Sequence, residues 1–234
     1  MLFSALSLLT SVAAVSASAL PSLFSSSSSS STSSSPAKRD SGSISVTPHD
    51  RYSSSLGVLA CKIDVNRVAY WPETRDCDNY CVRVSANGRN VTLLAIDHSG
   101  GAHDISYDAW NYLVTGEGAL DDPQEGGGID ATYEDVAMSE CADVITESSG
   151  KLAFSAANSM NTVSACLSND WFAENYVLYN IDTTQCTYGY DEVCTLEDGD
   201  TQPTCPHQLG AQPALTTDPV WNIDYGTGIL SLAV

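Results

Sequence analysis

Eight cysteines constrain this chain more than any other feature of its sequence. They are Cys61, Cys77, Cys81, Cys141, Cys166, Cys186, Cys194 and Cys205. In an oxidising compartment an even number predicts a disulfide framework, and eight cysteines can form four bonds in 105 ways. The alternative is a thiolate metal site, but zinc sites usually need two tight pairs and Cys77 with Cys81 is the single one. We therefore expect four disulfides of open connectivity, no metal ion and no other cofactor.

The start of the chain predicts secretion. Met1–Thr10 is apolar and leads into small residues that end in Ala17-Ser18-Ala19, an A-x-A site, so we expect a signal peptide over residues 1–19 with cleavage after Ala19. The apolar run is shorter than the roughly 20 residues that span a membrane. Asn90 begins the one N-glycosylation sequon, which suits a secreted protein. The expected location is extracellular or in the cell wall.

A second processing step is expected at the end of a serine-rich segment, residues 20–39. Such a segment has nothing apolar to bury and predicts disorder. It closes on Lys38 and Arg39, the one dibasic pair in the sequence, which is a typical target of kexin-like proteases. The leader style is typical of secreted fungal proteins. The mature chain is therefore expected to begin at Asp40, with a flexible segment over residues 40–54.

The acidic composition restricts the possible partners. The chain has 29 acidic and 9 basic residues and a formal net charge of −20. Removal of residues 1–39 would take away two basic residues and no acidic one, so the mature charge would be −22. Nucleic acids and anionic membranes need the opposite sign and are excluded as partners.

The middle of the chain predicts short strands separated by turns. The strand-like segments are Gly57–Asp64, Arg67–Trp71, Tyr80–Ser85, Val91–Asp97 and Tyr133–Cys141. Asn87-Gly88 is a strong hairpin signal between the third and fourth of these. Both faces of Val91–Asp97 are apolar, which is typical of a strand covered on both sides.

One helix is predicted between the fourth and fifth strands. Trp110, Leu113 and Val114 form an apolar stripe at helical spacing, Ser106 can cap its start and Gly116 can end it. Residues 142–234 hold half of the cysteines and predict a disulfide-stapled extension. The pattern leaves open whether that extension is a domain of its own or wraps the preceding one.

The order of several motifs resembles a known group of proteins. The motifs are Cys81-Val-Arg-Val, Gly88-Arg89, Val91–Asp97, Gly100-Gly101, Asp104-Ile105-Ser106, Ala109-Trp110 and Val136–Cys141. This order resembles the double-psi β-barrel of barwin, expansin, RlpA-like and small inverting endoglucanase proteins. The resemblance implies a mainly β chain, with a six-stranded double-psi β-barrel and one short helix over residues 55–141, followed by the extension over residues 142–234.

The resemblance also implies a site, and the sequence departs from the family pattern at His103 and at Pro72. Asp104 matches the acid of the family, and His103 stands where an aromatic residue is expected. In the related endoglucanases a Tyr-Trp-Asp motif supplies the base, whereas this chain has Tyr70-Trp71-Pro72. Proline cannot accept a proton in that role, so the resemblance favours binding over hydrolysis.

The candidate catalytic residue is Asp104. Inverting hydrolysis needs two carboxylates roughly 6.5–9.5 Å apart, and Asp97 could face Asp104 across a groove. The alternative for Asp104 is a carboxylate that braces the start of the helix. Tyr70 and Trp71 could stack on sugar rings. The candidate ligand-binding residues are Asp97, His98, His103, Tyr70 and Trp71.

We therefore expect a secreted, non-hydrolytic, expansin-like or barwin-like protein. It would bind extracellular polysaccharide or act as an interaction or effector protein on a host or cell-wall protein, and we expect a monomer. One alternative is an inverting, endoglucanase-like glycoside hydrolase that uses Asp104 as its acid. Another is a protein inhibitor or effector with no sugar contact, because disulfide-stapled barrels serve many roles.

Overall fold

The computed structural model describes residues 39–234. The predicted signal peptide with Ala19, most of the serine-rich segment and Lys38 lie outside that range, whereas Arg39 lies at its start and is exposed. The described residues belong to one compact unit. Within residues 39–234, no helix has the length and apolar character needed to cross a membrane.

Six strands close into a barrel. They are β1 (Ser41–His49), β2 (Val68–Trp71), β3 (Cys81–Ala86), β4 (Arg89–His98), β5 (His103–Ser106) and β6 (Ile129–Asp135). Their order around the barrel is β1-β5-β2-β4-β3-β6. The β1/β5 and β2/β4 pairs are parallel and the other pairs are antiparallel. The prediction of a mainly β chain built on a six-stranded double-psi β-barrel is confirmed.

The expectation of a flexible segment over residues 40–54 is wrong, because Ser41–His49 forms β1 of the barrel. Its serines carry little strand propensity, but the closed barrel gives β1 a hydrogen-bonding neighbour on both edges, β5 and β6. Val46 anchors the strand from inside, where it is fully buried. The barrel strands therefore run from residue 41 to residue 135 rather than over residues 55–141.

Two predicted strands take other forms. The predicted strand Gly57–Asp64 contains a short 3-10 helix, Ala60–Lys62. Just before this helix, the Leu59 N–H donates to the carbonyl of Ala153 in the extension at 2.9 Å, and not to a barrel strand. The predicted strand Tyr133–Cys141 ends at Asp135 and is followed by a second 3-10 helix, Met138–Val144. Apolar residues therefore marked burial in both segments, whereas strand pairing is limited to isolated bridges at Val58 and Ile63 and to the part of the second segment that lies in β6.

The predicted helix is α1, Tyr107–Thr115. Trp110 and Leu113 are buried against the barrel interior, and Gly116 ends the helix in the left-handed conformation with φ of 95°. Ser106 lies at the N-cap but makes no cap hydrogen bond. Its hydroxyl instead accepts from the Val68 N–H at 2.9 Å and donates to the Val65 carbonyl at 2.8 Å, which ties the helix start to β2.

The extension adds two short helices and five strands. They are β7 (Leu152–Ser155), α2 (Met160–Cys166), α3 (Asp170–Asn175), β8 (Tyr176–Ile181), β9 (Gly189–Cys194), β10 (Trp221–Ile223) and β11 (Leu230–Leu232). Strands β7, β8 and β9 form one sheet, in that order, and β10 pairs with β11.

Two hydrophobic clusters show how the extension relates to the barrel. The inner cluster fills the barrel and includes Trp71, Leu93 and Trp110. The outer cluster combines the outward side chains of the barrel wall, such as Leu94, with extension residues such as Phe154. The extension therefore wraps the barrel, and it covers the outward face of β4 that the sequence marked as apolar.

Four disulfides use all eight cysteines. The pairs are Cys61–Cys186, Cys77–Cys166, Cys81–Cys141 and Cys194–Cys205. The first two join segments flanking β2 to the extension, at sequence separations of 125 and 89. Such long closed loops restrict the unfolded chain strongly, which favours the wrapped arrangement.

Candidate functional site

The strand registers bring Asp97 and Asp104 to opposite sides of Tyr70. Tyr70 in β2 pairs with Asp97 in β4 and with Asp104 in β5. Two strand spacings put the Cα atoms of the two aspartates roughly 10 Å apart. Burial raises the pKa of the Tyr70 phenol, and the negative charges of Asp97 and Asp104 raise it further. Asp97 and Asp104 therefore lie on the two strands next to Tyr70, on either side of it.

Both carboxylates are engaged in hydrogen bonds that hold the fold. Asp97 accepts from the N–H groups of Ser55 at 2.7 Å and His98 at 2.8 Å, and from the Ser53 hydroxyl. Asp104 accepts from the hydroxyl of Thr47, its partner across β1 and β5. Asp97 therefore fastens the segment after β1 to the barrel, and Asp104 links two strands.

Tyr70 and Trp71 cannot stack on a sugar as the sequence suggested, because they are 4% and 1% exposed. The Tyr70 hydroxyl donates to the Arg51 carbonyl at 3.0 Å, and its ring belongs to the outer cluster. Trp71 points the other way, into the inner cluster. Strand β2 has covered faces on both sides, so its aromatic residues serve as core.

An aromatic cluster is partly exposed at one end of the barrel. The His103 ring contacts Trp71 edge-on with centroids 4.9 Å apart, and the Tyr133 ring contacts Trp71 at 5.7 Å. His103 and Tyr133 lie 6.2 Å apart with an interplanar angle of 28°. The Glu73 carboxylate lies 3.3 Å from His103 Nε2. We call Trp71, Glu73, His103 and Tyr133 the barrel-end cluster.

Tyr133 is a member that the sequence analysis missed as a site residue. Its ring lies over Gly42, its partner in β1, where an added Cβ would be 3.2 Å from the ring. An aromatic residue opposite a glycine is a recognisable signal, but only once the strand register is known. Burial raises the pKa of the Tyr133 phenol, and the nearby Asp40 and Asp135 carboxylates add to the effect.

A buried ion pair supports the barrel-end cluster. Arg75 Nη1 lies 2.8 Å from Asp135 Oδ1, and these side chains are 9% and 1% exposed. The guanidinium carbon also lies 5.6 Å from the centre of the Trp71 ring. Asn79 donates to Asp135 at 2.8 Å. This arrangement fixes the loop after Pro72.

The other predicted site residues are separate. The side chain of His98 is exposed at the end of β4, beside Trp71 in register. Asn90 is exposed at the start of β4 and so is accessible for glycosylation. Among residues 39–234, no group of three or more histidine, cysteine or acidic side chains is arranged to hold a metal ion.

Comparisons with known proteins point to one family for the barrel. Residues 30–144, just under half of the chain, match the cerato-platanin family model, and this range includes all six barrel strands. No curated protein matches the chain. The resemblance to barwin, expansin and RlpA-like proteins is therefore a broader statement of a similarity to cerato-platanin.

Three solved structures are similar over the same share of the chain. Cerato-platanin 3 and cerato-platanin 2 from M. perniciosa are 18% and 20% identical, with TM-scores of 0.32 and 0.31. The solution structure of the fungal elicitor cerato-platanin is 21% identical, with a TM-score of 0.34. Each similarity covers 43% of this chain and 98% of the other. Residues 145–234 lie beyond the range that matches the cerato-platanin family model.

Proposed function

We propose that this protein is a secreted, non-hydrolytic protein that binds extracellular polysaccharide through the barrel-end cluster. The observation that carries the proposal is the partly exposed pair of rings, His103 and Tyr133, beside the exposed Glu73 carboxylate. The negative face of an aromatic ring attracts the polarised C–H groups of a sugar ring. The carboxylate and the imidazole would then hydrogen-bond to sugar hydroxyls and orient the ring.

The buried surroundings of the barrel-end cluster suit binding without rearrangement. The buried Trp71 ring contacts the rings of His103 and Tyr133 edge-on. The Arg75–Asp135 ion pair holds the neighbouring loop. A preorganised surface loses little conformational entropy when a ligand binds. Rigid aromatic support of this kind therefore favours recognition of a stiff polymer chain.

The same geometry argues against hydrolysis. An inverting hydrolase needs an acid and a base with a water between them. Here Asp97 and Asp104 are hydrogen-bonded to the fold, and the buried Tyr70 lies between their strands. In the resemblance to small inverting endoglucanases, Pro72 stands where those enzymes carry their base. Asp97 and Asp104 are therefore not arranged as an acid and base pair around an open site.

The family similarity supports the general part of the proposal. Cerato-platanin proteins are secreted and non-enzymatic, and one solved relative is named a fungal elicitor. The predicted signal peptide and the four disulfides agree with an extracellular protein. The net charge of −20 favours an uncharged polymer over an anionic one as the partner.

Co-sedimentation with insoluble chitin, cellulose and β-glucan tests the proposal. Wild type should bind at least one polymer, and Tyr133→Ala and His103→Ala should each weaken binding roughly tenfold, as expected for the loss of about 1.4 kcal/mol. Tyr188→Ala is the matched control, since Tyr188 is an exposed aromatic residue of the extension. It should bind like wild type.

Three outcomes would contradict the proposal. If no polymer binds, the sugar-free effector or inhibitor interpretation replaces it. Equal binding by wild type, Tyr133→Ala and His103→Ala would show that the binding site lies outside the barrel-end cluster. Release of reducing ends by wild type but not by Asp104→Asn would make the protein a hydrolase.

A further inference from the structure

The backbone of Asp40 meets a buried carboxylate. The Asp40 N–H donates to Asp135 Oδ2 at 3.0 Å, and the Asp135 N–H donates to the Asp40 carbonyl at 2.8 Å. The Asp135 side chain is 1% exposed. Asp40 is the residue immediately after the dibasic pair Lys38 and Arg39. Among the described residues, Asp40 is the one whose backbone N–H donates to the Asp135 carboxylate. The predicted processing site lies directly before this residue.

We propose that Asp135 is the binding site for the α-ammonium group of the mature N-terminus, formed by cleavage after Arg39. A kexin-like protease would add water across the Arg39–Asp40 peptide bond. The carboxyl group stays on Arg39, and the amine left on Asp40 takes up a proton at neutral pH. The hydrogen bond from the neutral Asp40 amide to the Asp135 carboxylate thereby becomes an ion pair, with no movement of the chain.

The change in charge strengthens a contact that already has the right geometry. Before cleavage only the acceptor carries a charge, and an ammonium donor adds the attraction between two full charges at the same short distance. Asp135 also accepts from Arg75 and Asn79 at 2.8 Å each, so its carboxylate is held in place before cleavage. Two cations, Arg75 and the new ammonium, would then face the Asp135 carboxylate, and the side-chain carboxylate of Asp40 itself supplies a second negative charge.

Both sides of the bond are accessible in the folded protein. Arg39 and Asp40 are exposed, and the barrel begins only at Ser41. The position of the cut is decisive, because a terminus one residue earlier places the ammonium about 3.8 Å from the correct atom.

Three secreted forms test the proposal, each made in a host that has a kexin-like protease. The first is wild type. The second carries Lys38→Ala and Arg39→Ala and stays uncut. The third has one glycine inserted between Arg39 and Asp40, so that it is cut but keeps its ammonium one residue away. N-terminal sequencing should find Asp40 first in wild type.

Thermal unfolding at pH 6 then separates the forms. We expect the Tm of processed wild type to exceed those of the other two by roughly 2–4 °C, the shift that corresponds to one strengthened hydrogen bond in a chain of this size. In Asp135→Asn the advantage of the processed form should disappear. Equal Tm values in the three forms, or an equal gain with the inserted glycine, would overturn the proposal.

Amine labelling gives a second measurement that does not depend on folding of Asp135→Asn. The mature chain has three amines, the N-terminus and the side chains of Lys62 and Lys151. An acetylating ester near pH 7 should modify the Asp40 amine roughly tenfold more slowly than the inserted glycine, since an ion pair that raises the amine pKa by one unit lowers the reactive fraction tenfold. Equal rates, or an N-terminus other than Asp40, would refute the proposed site.

Discussion

Truncation of two neighbouring leucines tests whether the extension is part of the barrel's folding unit. Leu93 and Leu94 follow each other in β4, and both are fully buried. Leu93 points into the barrel and belongs to the inner cluster. Leu94 points outward and belongs to the outer cluster, which the extension shares. Its burial therefore depends on the extension, and that of Leu93 does not.

The expected cost follows from this burial. Replacing a buried leucine by alanine removes side-chain carbon from the core and leaves a cavity, which together cost about 2–5 kcal/mol. Because Leu93 and Leu94 are both 0% exposed, Leu93→Ala and Leu94→Ala should destabilise the protein by similar amounts. A loss of about 3 kcal/mol corresponds to a decrease in Tm of roughly 6–12 °C for a chain of this size.

Urea unfolding followed by far-ultraviolet circular dichroism measures both variants. One cooperative transition with an unchanged m-value is expected in each, with a lower midpoint. The interpretation of a wrapped extension would be refuted if Leu94→Ala cost less than about 0.5 kcal/mol, the usual effect of an exposed substitution, while Leu93→Ala cost its full amount. Two separate transitions in wild type would refute it as well.

Two further predictions concern a short disulfide and a buried carboxylate. Replacing Cys194 and Cys205 by alanine removes a disulfide of sequence separation 11 and should lower the free energy of unfolding in urea by about 3 kcal/mol. Replacing Cys81 and Cys141, at separation 60, should lower it by about 4 kcal/mol. A larger loss for the short loop would contradict this order. Burial raises the pKa of the Glu147 carboxyl, but hydrogen bonds from serine and tyrosine neighbours outweigh burial and leave the pKa below its ordinary value. Its contribution to stability is therefore complete above about pH 4.3 and is lost as the pH falls through the pKa of the folded state. Glu147→Gln should lower the Tm at pH 7 and make the Tm fall less steeply with decreasing pH below about pH 4.3. The same slope in both proteins would show that Glu147 is not responsible.

Several features followed from the sequence because they depend on local chemistry. The stripe of Trp110, Leu113 and Val114 predicted α1, and Gly116 predicted its end, since both depend on backbone geometry within one or two turns. The apolar character of both faces of β4 predicted a strand covered on both sides. The barrel itself was indicated by the resemblance of the motif order to known double-psi β-barrel proteins, not by local chemistry.

The candidate site was predicted only in part. Asp97 and Asp104 do lie on either side of Tyr70, but their hydrogen bonds leave them as structural groups. Whether Tyr70 and Trp71 were accessible could not be predicted, because exposure depends on what covers a strand from distant parts of the chain. Both proved to be core, and the partly exposed aromatic residue is Tyr133.

The sequence by itself determined the class of molecule: an acidic chain with eight cysteines, a predicted secretion leader, short strands and one helix in its middle part. Only the tertiary structure decided that Ser41–His49 forms β1, because barrel closure supplies hydrogen-bonding partners that strand propensity does not predict. It also decided the four cysteine pairs and the contact between Asp40 and Asp135, residues 95 positions apart. These features depend on which distant segments meet, and no local pattern carries that information.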